Sequence, residues 1–152
     1  MSAIPEKVSE ILSQFAAMTP GEHRMALIKY SHTSGQVAPL PDERFTCSSE
    51  RIDEGCTDSV GVFIRDEGDS VRLCIRLGRN TQTLTRAIGH ILCLGLDGGP
   101  LEALLNMPDD LSARLIGMPA DGYHARKLRY MQNRIVETAT EAMAARGEAV
   151  AA

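Results

Sequence analysis

A β-hairpin pattern in the middle of the chain constrains its fold more than any other feature. Residues 59–65 are rich in Val, Ile and Phe, and apolar residues alternate strictly with Arg or Cys over residues 71–77. Residues 66–69, with the sequence Asp-Glu-Gly-Asp, are typical of a turn. The pattern predicts two antiparallel strands, of which the second has one solvent-exposed face. A short strand at about Arg51–Asp53 would make a small antiparallel sheet of about three strands.

Helical patterns flank this hairpin on both sides. Thr19, Pro20 and Glu22 form a capping-box sequence, and Met25 is expected to point inward in the helix that follows it. Apolar residues at one-three-four spacing predict the remaining helices. The predicted helices cover about residues 1–17, 20–34, 84–95, 100–107, 109–116 and, as a long C-terminal helix, 123–144.

The order helix, helix, strands, helices predicts an α+β fold in which helices cover one face of the sheet. A length of 152 residues fits a single domain over residues 1–152. Residues 36–51 contain two prolines and no period, so we interpret them as an ordered, irregular connection. The tail after about residue 146 is expected to be disordered.

Charge and composition narrow the function classes. The formal net charge of −4 argues against a protein that binds nucleic acid or an anionic membrane. No apolar run approaches the roughly 20 residues that cross a bilayer, and no secretory signal precedes the cysteines. We therefore expect a cytoplasmic protein with reduced cysteines whose partners are proteins or small molecules.

Of the four cysteines, Cys56 has the most unusual surroundings. It follows Gly55 where one strand should end and the next begin, which would present its thiol on a loop. It is either a functional thiol, as a nucleophile or sulfur carrier, or a small turn residue. The neighbouring acids Asp53, Glu54 and Asp58 should raise its pKa. The same acids predict that the partner docks there through a basic surface.

The other cysteines have simpler interpretations. Cys47, in the irregular connection, is either incidental or able to exchange sulfur with Cys56. Cys74 shares a strand face with arginines that would favour a thiolate, although a covered strand cysteine is the commoner situation. Cys93 is expected in the core. His90 and Cys93 could form a metal site together with Cys47 or Cys56, but the spacing of these residues does not support one. No cofactor-binding motif is expected.

The order of these features resembles the SufE family of sulfur acceptors. The residues that carry the likeness include Pro39-Leu40-Pro41, Gly55-Cys56 and Val60, set between two N-terminal helices and the hairpin. The likeness spans about Ile4 to Met143. It implies the compact α+β fold shared with IscU-type scaffolds.

The resemblance also implies a function. Cys56 would accept sulfane sulfur as a persulfide from a SufS-like cysteine desulfurase and stimulate that enzyme. It would then pass the sulfur to a downstream iron–sulfur scaffold, so the protein would be a sulfur-transfer partner and not a stand-alone enzyme. We expect Cys56 to be partly covered until docking exposes it.

The chain departs from the family pattern at several places. Asp58 stands where the family usually has serine, residues 79–82 (Arg-Asn-Thr-Gln) replace a typical Asp-Ser-Asp-Ala, and His124 replaces an arginine. In addition, Gly61 interrupts a strand that usually carries Trp, and the loop from Leu40 to Cys56 is slightly longer. Residues around the cysteine loop and before the last helix are the ones that a desulfurase would meet. Two alternatives therefore stay open: a binding or regulatory module of the same fold that carries no sulfur, and a metal or cluster scaffold.

Overall fold

The computed structural model describes residues 4–52 and 59–151 and has the predicted α+β fold. A three-stranded antiparallel sheet is combined with several helices, of which the C-terminal one is the longest. The elements in chain order are α1 (Glu6–Ala16), α2 (Pro20–His32), a 3-10 turn (Ser34–Val37), β1 (Cys47–Ile52), β2 (Ser59–Asp66), β3 (Val71–Leu77), α3 (Thr83–Leu96), α4 (Leu101–Leu105), α5 (Leu111–Ile116) and α6 (Tyr123–Ala151).

The sheet has the strand order β1-β2-β3, with the predicted hairpin forming β2 and β3. β1 begins earlier than the sequence predicts, because Cys47 already pairs with Ile64 and the pairing continues to Ile52 opposite Ser59. The placement of Cys47 in an irregular connection was therefore wrong. β2 offers backbone partners along its whole length, and this pairing extends a segment that has no strand pattern of its own.

Helices cover one face of the sheet, as expected. The inner side chains of β2 and β3 are fully buried against α3 and α6. The residues that form this inner face include Val60, Val62, Ile64, Leu73 and Ile75. They alternate with residues of the opposite face, where Arg72 is half-buried and Arg76 exposed as the hairpin pattern predicts, although Cys74 on that face is buried.

The other face is crossed by the irregular connection, which places Glu43 over two arginines. Arg65 and Arg72 are direct cross-strand partners, an arrangement in which like charges repel. The Glu43 carboxylate accepts hydrogen bonds from Arg72 Nε at 2.9 Å, Arg65 Nη1 at 3.1 Å and Leu40 N at 3.0 Å. The hydrogen bond from Arg72, followed by that from Leu40, lowers the pKa of Glu43 to about 2.

The N-terminal helices follow the sequence closely. Thr19 N donates to Glu22 Oε1 at 2.9 Å, and Glu22 N donates to Thr19 Oγ1 at 3.2 Å, so the capping box is confirmed. The inward orientation of Met25 was wrong, since its side chain is 60% exposed. α2 docks instead through the stripe that contains the buried residues Leu27 and Ser31.

α6 is longer than its sequence pattern predicts. It continues to Ala151 and so includes part of the tail expected to be disordered. Arg146 explains part of the extension, because it donates to both carboxylate oxygens of Asp66 at 2.8 and 2.9 Å and to Gly68 O. Within the described residues, no helix combines the length and apolarity needed to span a membrane.

α1 and α3 approach each other closely where Gly95 packs against Val8. A Cβ atom at Gly95 would overlap Val8 Cγ2. Gly95→Ala should therefore lower the free energy of unfolding by about 1–3 kcal/mol through overpacking. Urea denaturation measures this, with Gly147→Ala in α6 as the control, since a Cβ there meets no atom within 4 Å. Equal stability of Gly95→Ala and wild type would contradict the close contact.

The Glu43 cluster predicts a pH dependence of stability. Because the pKa of Glu43 falls from 4.5 to about 2 on folding, its stabilising effect is complete above pH 4.5 and disappears as the pH falls towards 2. The stability difference between wild type and Glu43→Gln should shrink over this interval in urea denaturations at pH 7 to 3. Glu10→Gln on α1 controls for the loss of one carboxylate. A difference that stays constant with pH would contradict the cluster.

Candidate functional site

The predicted site residues Cys56, Gly55 and Asp58 lie outside the described residues. The strands that their segment connects end at Ile52 and begin at Ser59, which are register partners. We call the end of the sheet at which β1 finishes and β2 starts the β1–β2 end. Its surroundings show which groups a residue of the connecting segment can meet.

α6 leads towards the β1–β2 end in the direction of its own N-terminus. Arg146 contacts Asp66 at the far end of β2, whereas Arg134 contacts Val60 near the other end. The helix therefore runs along β2, and its first turns continue in the same direction beyond the Arg134 contact. We call the part from Arg134 back to Tyr123 the overhang; it is about 16 Å long at 1.5 Å per residue. It lies on the side from which the segment that contains Cys56 departs.

Arg134 fastens α6 to both strands at this end. Its Nη2 donates to Ser49 O and Ser49 Oγ, each at 2.8 Å, and to Val60 O at 2.9 Å. The side chain is only 1% exposed. A guanidinium buried this deeply carries its full positive charge, because it does not lose its proton in proteins. The β1–β2 end therefore contains a fixed cation.

Lys127 is a second buried cation on the same side of α6. It lies seven residues, or two helical turns, before Arg134, and it is 7% exposed. Sequence reasoning missed both residues because it assigned only apolar positions to the inner face. The available signal was their spacing, since each directly precedes an inward residue, Leu128 or Ile135.

A turn after β3 flanks the site on the sheet side. Gly78 N donates to Ser59 O at 2.9 Å, which ties this turn to the first residue of β2. Arg86 stabilises the turn by donating to the carbonyl oxygens of Gly78, Arg79 and Thr81 at 2.9 to 3.1 Å. The Arg79 side chain is exposed here, so one of the departures from the family pattern lies beside the β1–β2 end.

Cys47 lies at the opposite end of its strand. It lies five positions before Ile52, which corresponds to about 17 Å along an extended strand. Its half-buried thiol has a pKa raised by burial and by the nearby carboxylate of Glu141. The structure therefore does not bring Cys47 to the β1–β2 end, and its exchange of sulfur with Cys56 stays a prediction.

The remaining two described cysteines are buried. Cys74 is fully covered, with Glu43 Oε1 4.0 Å from its sulfur, and burial raises its pKa to about 11 despite Arg72. Arg72 and Arg65 do favour the thiolate, as expected, but burial outweighs them, and the coverage of Cys74 by a loop is confirmed. Cys93 is 1% exposed in the core, as predicted, and burial raises its pKa strongly.

The histidines have different environments. His124 is exposed in the first turn of α6, within the overhang, with its ring against Tyr123. His90 is buried, and its Nδ1 lies 2.9 Å from Tyr30 O, so this nitrogen carries a hydrogen. In residues 4–52 and 59–151, no three His, Cys, Asp or Glu side chains are arranged to hold a metal ion.

Comparisons with known proteins bear on the fold alone. No protein-family model matches the chain, and no curated protein matches it. The chain is similar to a hypothetical protein from Thermus thermophilus whose solution structure is known, with a TM-score of 0.72 and 20% sequence identity. The match covers 93% of this chain and 99% of that one, so the whole fold recurs in a second protein.

The Arg134 contacts predict a cost for their removal. Arg134→Met should lower the free energy of unfolding by about 2–4 kcal/mol, because it leaves buried carbonyl oxygens without donors. It should also accelerate amide hydrogen exchange in β1. Arg129→Met, at an exposed position of the same helix, is the matched control and should change stability by less than about 0.5 kcal/mol. Equal losses in the two variants would show that Arg134 does not fasten the strands.

Proposed function

We propose that this protein is a sulfur carrier that accepts a persulfide on Cys56 from a cysteine desulfurase. In this proposal it stimulates the desulfurase and delivers the sulfur to a scaffold for iron–sulfur cluster assembly. The resemblance of the sequence to SufE proteins suggests this function. The environment of the other three thiols carries the argument further.

That environment makes Cys56 the best candidate for thiol chemistry. A persulfide carrier needs a thiolate that its partner can reach. Cys74 and Cys93 are buried with raised pKa values. Cys47 is half-buried, and its pKa is also raised. None of these three thiols combines exposure with a low pKa, which leaves Cys56 for the role.

The cations of α6 also support the proposal. The acids Asp53, Glu54 and Asp58 disfavour a thiolate next to them in sequence. Arg134 is a fixed, buried positive charge at the β1–β2 end, and Lys127 is a buried cation in the overhang. Positive charge in this region opposes the effect of the acids and favours the anionic thiolate and persulfide.

The proposed reaction is a thiol–persulfide exchange. The Cys56 thiol loses its proton, and its sulfur attacks the terminal sulfur of the desulfurase persulfide. A new S–S bond forms as the bond between that sulfur and the desulfurase cysteine breaks. The desulfurase cysteine leaves as a thiolate and takes up a proton. One neutral sulfur atom changes carrier, so no oxidant or reductant is consumed.

A module that binds a desulfurase without carrying sulfur is the second candidate. The departures at Asp58, Arg79 and His124 favour it, and the latter two side chains are exposed where a partner can meet them. A metal scaffold is less well supported. Of its candidate ligands, Cys93 is in the core and His90 uses Nδ1 to bind a backbone carbonyl.

Sulfur loading tests the proposal. The protein is incubated with a SufS-like cysteine desulfurase and cysteine, and intact-mass spectrometry with peptide mapping locates any added sulfur. Wild type and the control Cys47→Ser should gain one sulfur atom on Cys56. Cys56→Ser should gain none and should not stimulate the desulfurase.

The same experiment separates the two candidates. Stimulation of the desulfurase by Cys56→Ser to the wild-type level, with no sulfur on either protein, would overturn the carrier proposal in favour of the binding module. Sulfur on Cys47 in place of Cys56 would also overturn it.

A further inference from the structure

The exposed face of the α6 overhang carries aromatic and cationic side chains. Tyr123 is 64% exposed and Tyr130 is 40% exposed, although large hydrophobic and aromatic side chains are mostly buried elsewhere. Arg126 and Arg129 are exposed between them in sequence, at helical spacings that place all four on one side. We call these four residues the α6 surface. A shallow notch of about 230 Å³ lies among Arg126, Arg129, Tyr130 and Asn133.

The two arginines of this surface form no ion pair with a described residue, unlike the arginines of the sheet. Arg65, Arg72 and Arg76 each form an ion pair with a carboxylate across the open face. Arg126 and Arg129 have no side-chain hydrogen bond or ion pair with any other residue in the described part of the chain. Their guanidinium groups are therefore available to an external partner.

The chemistry of the surface indicates what the partner presents. Guanidinium forks match carboxylates, and Tyr and Arg are enriched at the centres of protein interfaces. Two arginines on a chain with a net charge of −4 are a poor match for a polyanion such as nucleic acid. An acidic patch on a folded protein fits both the charge and the exposed tyrosines.

The position of the surface connects it to the sulfur site. The overhang leads from the Arg134 contact towards the β1–β2 end, where β1 ends and β2 begins. A protein that docks on the overhang is therefore held at the end of the sheet from which the segment that contains Cys56 departs. We infer that the α6 surface docks the sulfur-donating desulfurase through an acidic patch of that enzyme, an inference that rests on the proposed function.

Binding is tested apart from sulfur transfer. Cys56→Ser protein, which leaves the α6 surface intact, is titrated with the cysteine desulfurase by calorimetry at two salt concentrations. Adding Arg126→Glu and Arg129→Glu should weaken binding at least about tenfold and reduce its dependence on salt. The control Lys7→Glu with Arg24→Glu makes the same change in net charge on α1 and α2, at exposed positions of helices that do not pack on α6. It should bind nearly as well as the parent.

Each outcome decides a different point. Equal affinities of the α6 variant and its control would overturn the inference while leaving the carrier proposal intact, provided that wild type gains sulfur. If only the α6 variant binds weakly and wild type gains no sulfur on Cys56, the α6 surface is the docking site, but the sulfur-carrier proposal is overturned. Failure of the parent to bind any desulfurase would overturn both. Unfolding midpoints of the variants exclude loss of structure as the cause.

Discussion

The burial of one guanidinium group determines how the helical layer sits on the sheet. A buried cation without acceptors costs several kcal/mol, so α6 can pack only where backbone carbonyls point at Arg134. Ser49 O and Val60 O supply these acceptors from two adjacent strands. Together with the Arg146–Asp66 pair at the other end, this contact sets the position of α6 along β2. The overhang follows from that position, because the helix begins well before Arg134.

Charge is distributed unevenly over the resulting molecule. On the face of the sheet opposite the helices, Glu43 bridges Arg65 and Arg72, which also pair with Glu67 and Asp97, and Glu50 pairs with Arg76. These ion pairs stabilise the hairpin. On the overhang, Arg126 and Arg129 form no ion pair with a described carboxylate. An acidic protein thus keeps a local basic surface on the helix that contacts the β1–β2 end. Such a surface can orient a partner even though the net charge has the opposite sign.

Much of the fold could be predicted, and the failures have a common cause. The hairpin and the capping box at Thr19 are local signals, and the structure confirms both. Cys47 was misplaced because strand pairing with β2, and not its own pattern, makes its segment extended. For Cys74, burial under the loop outweighs the arginines beside it and raises its pKa. In both cases contacts between residues distant in sequence overrode the local pattern.

The same distinction between local signals and long-range contacts applies to the candidate site. The sequence by itself determined the α+β class, the position of Cys56 between two strands and the acids around it, because these depend on residues adjacent in the chain. Only the tertiary structure decided that Arg134 and Lys127 are buried and that Arg134 joins α6 to β1 and β2. Burial of a charge depends on acceptors supplied by other elements, and no local periodicity specifies where those elements will lie.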